Sequence, residues 1–88
     1  MKQKKLQSHI VLKEDQVLFG GLSLHYRFSV RSESGEPRFS IEVCLGEEEA
    51  SCEVGNHLVR ALEIYRRIVG GAVTPCSLDD VLSDMTVA

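Results

Sequence analysis

Residues 22–45 read LSLHYRFSVRSESGEPRFSIEVCL, two runs that alternate apolar and polar residues on either side of a turn. Leu22, Leu24, Tyr26, Phe28 and Val30 fall on one side of the first run, and Ser23, His25, Arg27, Ser29 and Arg31 on the other, because successive side chains of a strand point to opposite faces. In the second run Phe39, Ile41, Val43 and Leu45 share a face, with Arg38, Ser40, Glu42 and Cys44 on its reverse. Both runs predict antiparallel strands with one buried and one wet side. Ser34 and Gly35 make a two-residue turn, the glycine supplying the positive φ that primed turns require.

That turn fixes a register. Val30 faces Phe39, Phe28 faces Ile41, Tyr26 faces Val43 and Leu24 faces Leu45, while Arg27 meets Glu42 on the back. Pro37 falls opposite Ser32 in a non-hydrogen-bonded pair, where its missing N–H costs the hairpin nothing. A slip of one residue would turn the whole apolar set toward water, so pattern, turn and proline specify one pairing.

Working outward, the preceding segment offers Leu6, Ser8, Ile10 and Leu12 alternating with Gln7, His9, Val11 and Lys13, a first strand that starts at residue 6 after a disordered basic tail over 1–5. Glu14 to Gln16 read as a turn, and Val17, Leu18 and Phe19 form an apolar patch stopped by Gly20 and Gly21. Beyond the hairpin, Ala50, Cys52 and Val54 alternate with Ser51, Glu53 and Gly55 as a fourth strand. A turn on Gly46 and Glu47 suits a type II′ hairpin better than one on Glu47 and Glu48, and puts Cys52 inside and Cys44 outside. The β-meander thus occupies residues 6–55.

From Asn56 the period lengthens to that of a helix. Leu58, Ala61, Leu62, Tyr65, Ile68 and Val69 make one stripe, with Asn56 as N-cap, Arg66 and Arg67 suited to the C-terminal dipole, and Gly70 and Gly71 as the stop, so a main helix is expected over 56–70. Ser77 and Asp80 resemble a capping box, and Leu78, Val81, Leu82 and Met85 predict a short helix over 77–85. Thr74 and Pro75 form the joint between the two helices. The fold class is therefore α+β, an antiparallel meander of about four strands with one amphipathic helix on its apolar face and a short C-terminal helix.

The ending Ala72-Val73-Thr74-Pro75-Cys76-Ser77-Leu78-Asp79-Asp80-Val81-Leu82-Ser83-Asp84, together with the Leu24-His25-Tyr26 strand and the amphipathic helix, resembles a family of small uncharacterised proteins from Gram-positive bacteria, chiefly clostridia and relatives, grouped as a domain of unknown function. The resemblance covers roughly residues 22–85, and its terminal Val-Thr-Pro, Leu, Asp-Val, Asp signature is the specific part. Met85-Thr86-Val87 departs from the aromatic or leucine-rich finish of that pattern. The resemblance implies the same fold and a bacterial, cytoplasmic setting. It brings no activity, cofactor or catalytic residue.

The 88 residues fit a single domain, 1–88, that buries roughly 60–65% of its extended surface. A formal charge of −3 argues against a surface built mainly for nucleic acid. Cys44, Cys52 and Cys76 cannot all pair and show no metal-ligand spacing, which fits a reducing cytosol. The N-terminal stretch lacks the apolar run of a signal peptide, and no segment approaches the ~20 apolar residues of a membrane span.

Chemistry is sparse. His25 and Cys44 face each other across the hairpin, and a Cys–His pair can hold half a zinc site or activate a thiolate, but no second ligand pair and no pocket accompany them. Cys76 precedes a helix N-terminus, where thiol acidity can rise, without a histidine nearby in sequence. Ser77, Asp79, Asp80 and Asp84 match no calcium loop, and His9 and His57 read as surface residues. No nucleophile elbow, phosphate loop or paired carboxylates are present, so no catalytic residue, cofactor or metal is expected and the chain is read as a non-enzyme.

The expected function is a small protein-interaction or regulatory module acting through the polar sheet face, with Arg27, Arg31, Arg38 and Glu42 as its partner-binding residues, or through an edge strand. Its partner would be a protein, either a second copy or another chain. The second reading is a nucleic-acid accessory protein using Lys2, Lys4, Lys5 and the sheet arginines. A small enzyme with Cys76 as nucleophile is the third.

Overall fold

The computed structural model describes residues 9–86 and shows the expected α+β architecture. Strands β1 (His9–Phe19), β2 (Leu22–Glu33), β3 (Glu36–Leu45) and β4 (Glu48–Glu53) form one antiparallel sheet in the order β1-β2-β3-β4. Helix α1 (Leu58–Gly70) follows, then a 3-10 turn over Pro75–Ser77 that runs directly into α2 (Leu78–Thr86). Residues 1–8, including Lys2, Lys4 and Lys5 and the expected start of the first strand, lie outside the described residues.

The central hairpin pairs as the pattern dictates: Leu24 with Leu45, Tyr26 with Val43, Phe28 with Ile41, Val30 with Phe39 and Ser32 with Pro37. Ser34 and Gly35 both carry positive φ, +56° and +83°, the signature of a type I′ turn whose twist matches the strands. At the β3–β4 turn Leu45 faces Glu48, and only Gly46 of the two central residues has positive φ, which selects the Gly46–Glu47 register.

Strand β1 departs from expectation. Glu14 to Gln16 do not turn; the strand runs through them, pairing with Arg27, Tyr26 and His25, and reverses at Gly20–Gly21. Leu12 is bulged out between Val11 and Lys13, which resets the alternation. Ile10, Lys13, Asp15, Val17 and Phe19 consequently share the face of the core, opposite Val30, Phe28, Tyr26, Leu24 and Leu22. Two charged residues thus occupy positions that a helix-covered strand would fill with apolar ones.

The core lies between the sheet and the helices. Leu24, Tyr26, Phe28, Phe39, Ile41 and Val43 from the two central strands meet Ala61, Ile64, Tyr65 and Ile68 from α1 and Leu78 and Leu82 from α2. Phe28 stacks on Phe39, with centroids 5.6 Å apart, and tilts against Tyr65 at 5.3 Å. The expected helical stripe is rotated: Ile64 is buried, whereas Leu58 is 50% exposed. Asn56 is not the N-cap; that position is His57, without a side-chain cap, and Asn56 Nδ2 instead donates to Glu36 Oε1. Ser77 likewise is not a cap, since it sits inside the helical run that Thr74 opens, and Thr74 Oγ1 donates to its hydroxyl.

Helix α1 ends in a Schellman arrangement in which the Val73 N–H reaches the Ile68 carbonyl and the Ala72 N–H that of Val69. The left-handed residue there is Ala72, φ +49°, rather than either of the two glycines before it. This reversal presents the Val73 carbonyl to the Tyr26 hydroxyl at 2.9 Å, tying the joint between the helices to the sheet. Among the described residues no helix is long and apolar enough to cross a membrane.

Candidate functional site

The polar face of the sheet brings together the residues that the sequence nominated. Arg27 and Glu42, paired across β2 and β3, form a salt bridge of 3.1 Å. Arg31 stands opposite Arg38, a like-charge pair that would repel on its own. Glu33 and Glu53 resolve it: Arg31 lies 3.4 Å from Glu33 and 3.8 Å from Glu53, and Arg38 3.6 Å from each. Two guanidiniums and two carboxylates therefore form one closed cluster. Both arginine Nε atoms are shielded from solvent without a hydrogen bond, so apart from the Arg31 Nη2 bond to Glu33 Oε1 the cluster is held chiefly by charge. Beside it Ser29, Ser40 and Ser51 floor an open hollow of about 290 Å³.

One row further, His25 and Cys44 are directly opposed, as the register requires. The expectation that this face offers no pocket is corrected by a shallow hollow of about 190 Å³ lined by Glu14, His25, Tyr26, Arg27, Glu42 and Cys44. Its chemistry is quiet. Burial first, then the carboxylates of Glu49 and Glu42, push the Cys44 thiol up despite Arg27, which keeps it protonated at neutral pH. Cys52, packed against the core, is raised by burial and by Asp79. Among the described residues no group of three or more His, Cys, Asp and Glu is placed to hold a metal ion.

Cys76 is exposed at the 3-10 turn, with its Sγ 3.8 Å from Glu48 Oε1. The surrounding depression is lined by Glu47, Glu48, Glu49 and Pro75. Neither a histidine nor a cation lines this depression, so the usual partners of a nucleophilic thiol are not among its neighbours.

The sequence reading allowed an edge strand as the interaction surface but did not identify β1 as the open edge. Helix α1 lies over β2 and β3, and α2 over β4, which leaves the core-side face of β1 covered near its middle, where the Tyr65 hydroxyl donates to Asp15 Oδ2 at 2.8 Å and Val17 packs against the core. Lys13 reaches the same carboxylate at 3.7 Å. On either side of this polar centre the strand is apolar and open: Ile10, Val11 and Leu12 at one end and Leu18 and Phe19 at the other are 41–78% exposed, and Leu22 across the turn is 54% exposed. The signal was present in the sequence as two three-residue apolar runs, Ile10-Val11-Leu12 and Val17-Leu18-Phe19, each apolar on both faces of a strand. Comparison with protein-family models, curated proteins and solved structures finds no match to this chain.

Proposed function

We propose that this chain is a non-enzymatic protein-interaction module that binds its partner along strand β1. The observation that carries the reading is an edge strand of 11 residues that α1 touches only near its middle, through Tyr65, and whose ends are apolar on both faces. A strand with that pattern is suited to the middle of a sheet, where neighbours shield both faces, and an added strand would supply the missing neighbour. Strand β4, the other edge, carries Glu48, Glu49 and Glu53 and has α2 and the 3-10 turn across it, which protects it from the same use.

The polar face is the weaker candidate. Arg27, Arg31 and Arg38 are each matched by a glutamate, so the face has little net positive potential to offer a phosphate backbone, and this disfavours the nucleic-acid reading. A bacterial cytoplasmic setting, as the resemblance implies, belongs to the same proposal.

The test is affinity capture with wild type and with Leu18→Lys, a change at a 78% exposed position that leaves the core untouched. We expect wild type to retain a protein in near-stoichiometric amount, itself or another, after nuclease treatment, and Leu18→Lys to lose it. Retention that disappears with nuclease, or that is equal for both proteins, refutes the proposal.

A further inference from the structure

We infer that the strand added at β1 is β1 of a second copy, joined antiparallel about a two-fold axis at Glu14. This rests on the interaction reading above and goes further by naming the partner. Twofold interfaces require a surface complementary to itself, and β1 has that property in its sequence order: apolar at 10–12, polar at 13–16, apolar again at 17–19.

Charge selects the register. A two-fold perpendicular to the sheet must pass between identical residues. With the axis at Asp15, two carboxylates on the core side would face each other. With the axis at Glu14, Lys13 stands opposite Asp15 of the second copy and Asp15 opposite its Lys13, giving two attractive pairs on that side. The Leu12 bulge lets Gln16 oppose the Val11–Leu12 step and brings Val17 to Ile10 of the other copy, both on the core-side face. The two open margins then merge into one apolar trough between the two α1 helices.

The apolar surface is there to be buried: Ile10, Val11, Leu12, Leu18, Phe19 and Leu22 are 41–78% exposed at this margin, and a stable interface needs roughly 800 Å² from each partner, to which the flanking α1 surfaces must add.

Inward charges and a bulge are also devices that keep an edge strand unpaired. Here both are self-complementary, so they reject foreign strands and shifted registers while admitting a second copy. The axial Glu14 pair is the remaining repulsion, left standing because Arg27, its cross-strand neighbour, is already paired with Glu42.

Sedimentation of the full chain tests the inference, with cross-linking as the local readout. Wild type should be a dimer; Lys13→Glu should weaken it about tenfold and Glu14→Gln tighten it about threefold, as expected for opposed like and neutralised pairs. In a Cys76→Ser background, Glu14→Cys should give a reducible covalent dimer, because directly opposed positions lie about 5 Å apart, while Ser51→Cys on the far strand should not. A wild-type monomer at the highest attainable concentration overturns the inference, as does a dimer in which Ser51→Cys links and Glu14→Cys does not. If the monomer nevertheless captures another protein that Leu18→Lys releases, the interaction reading stands and the second-copy assignment falls.

Discussion

Tyr65 and Asp15 show how one residue pair can hold two layers. The hydroxyl of a fully buried tyrosine donates to a carboxylate on the one strand that the helices leave open. Burial, and then the bond and charge of Asp15, raise the Tyr65 hydroxyl far above its ordinary value near 10, and burial raises that of Tyr26 as well. Both groups ionise more easily in the unfolded chain than in the folded one. The stability they confer is therefore fully present below pH ~10 and lost as pH rises from there toward the folded values. Absorbance titration should show no tyrosinate in the native protein just above pH 10, and its appearance should coincide with loss of helical circular dichroism. Tyr65→Phe should cost about 1.5–3 kcal/mol at neutral pH, the net worth of a hydrogen bond to a charged carboxylate, and flatten the alkaline loss. Ala72 is the other telling residue. An alanine at φ +49° carries strain of about 1 kcal/mol that glycine lacks, so Ala72→Gly should raise Tm by a few degrees in a domain of this size. Among the thiols, the exposed Cys76 should be alkylated before Cys44 and Cys52, whose thiols are held up by burial and carboxylates. Fast labelling of Cys76 follows from exposure alone and so is no mark of catalysis.

At the scale of elements, Leu78 and Leu58 separate the packed from the bare parts of the helices. Leu78 is fully buried and Leu58 half exposed, so Leu78→Ala should cost about 2–4 kcal/mol and Leu58→Ala under about 0.5, measured by denaturant unfolding. The contrast also shows what the sequence could tell. The β2–β3 hairpin was legible to the residue because alternation, the Ser34–Gly35 turn and Pro37 all demand one register. Strand β1 was not, because Glu14 to Gln16 look like a turn unless one knows that they lie at a sheet edge the helices barely reach, and because the Leu12 bulge breaks the parity. Leu58 was misplaced for a related reason: it belongs to the apolar spacing, but the first turn of α1 does not lie on the core. On the polar face the pairing of Arg27 with Glu42 followed from register, whereas the Arg31–Arg38–Glu33–Glu53 cluster needed the position of β4. The opposed arginines were the readable clue, since two facing guanidiniums call for counter-charges.

Taken whole, the molecule is a slab of 41 × 35 × 19 Å whose strands neighbour one another in the order in which they occur. All pairings are between consecutive strands, and both helices come after the sheet is complete. That order has a consequence for synthesis. The apolar face of β2 and β3 is made before the side chains that close over it, Ile64, Tyr65, Ile68, Leu78 and Leu82, which are translated after β4. At ~5–20 residues per second, the ribosome leaves that face without its cover for on the order of seconds. A nascent chain halted just after β4 would therefore recruit chaperones that the finished protein has no need of.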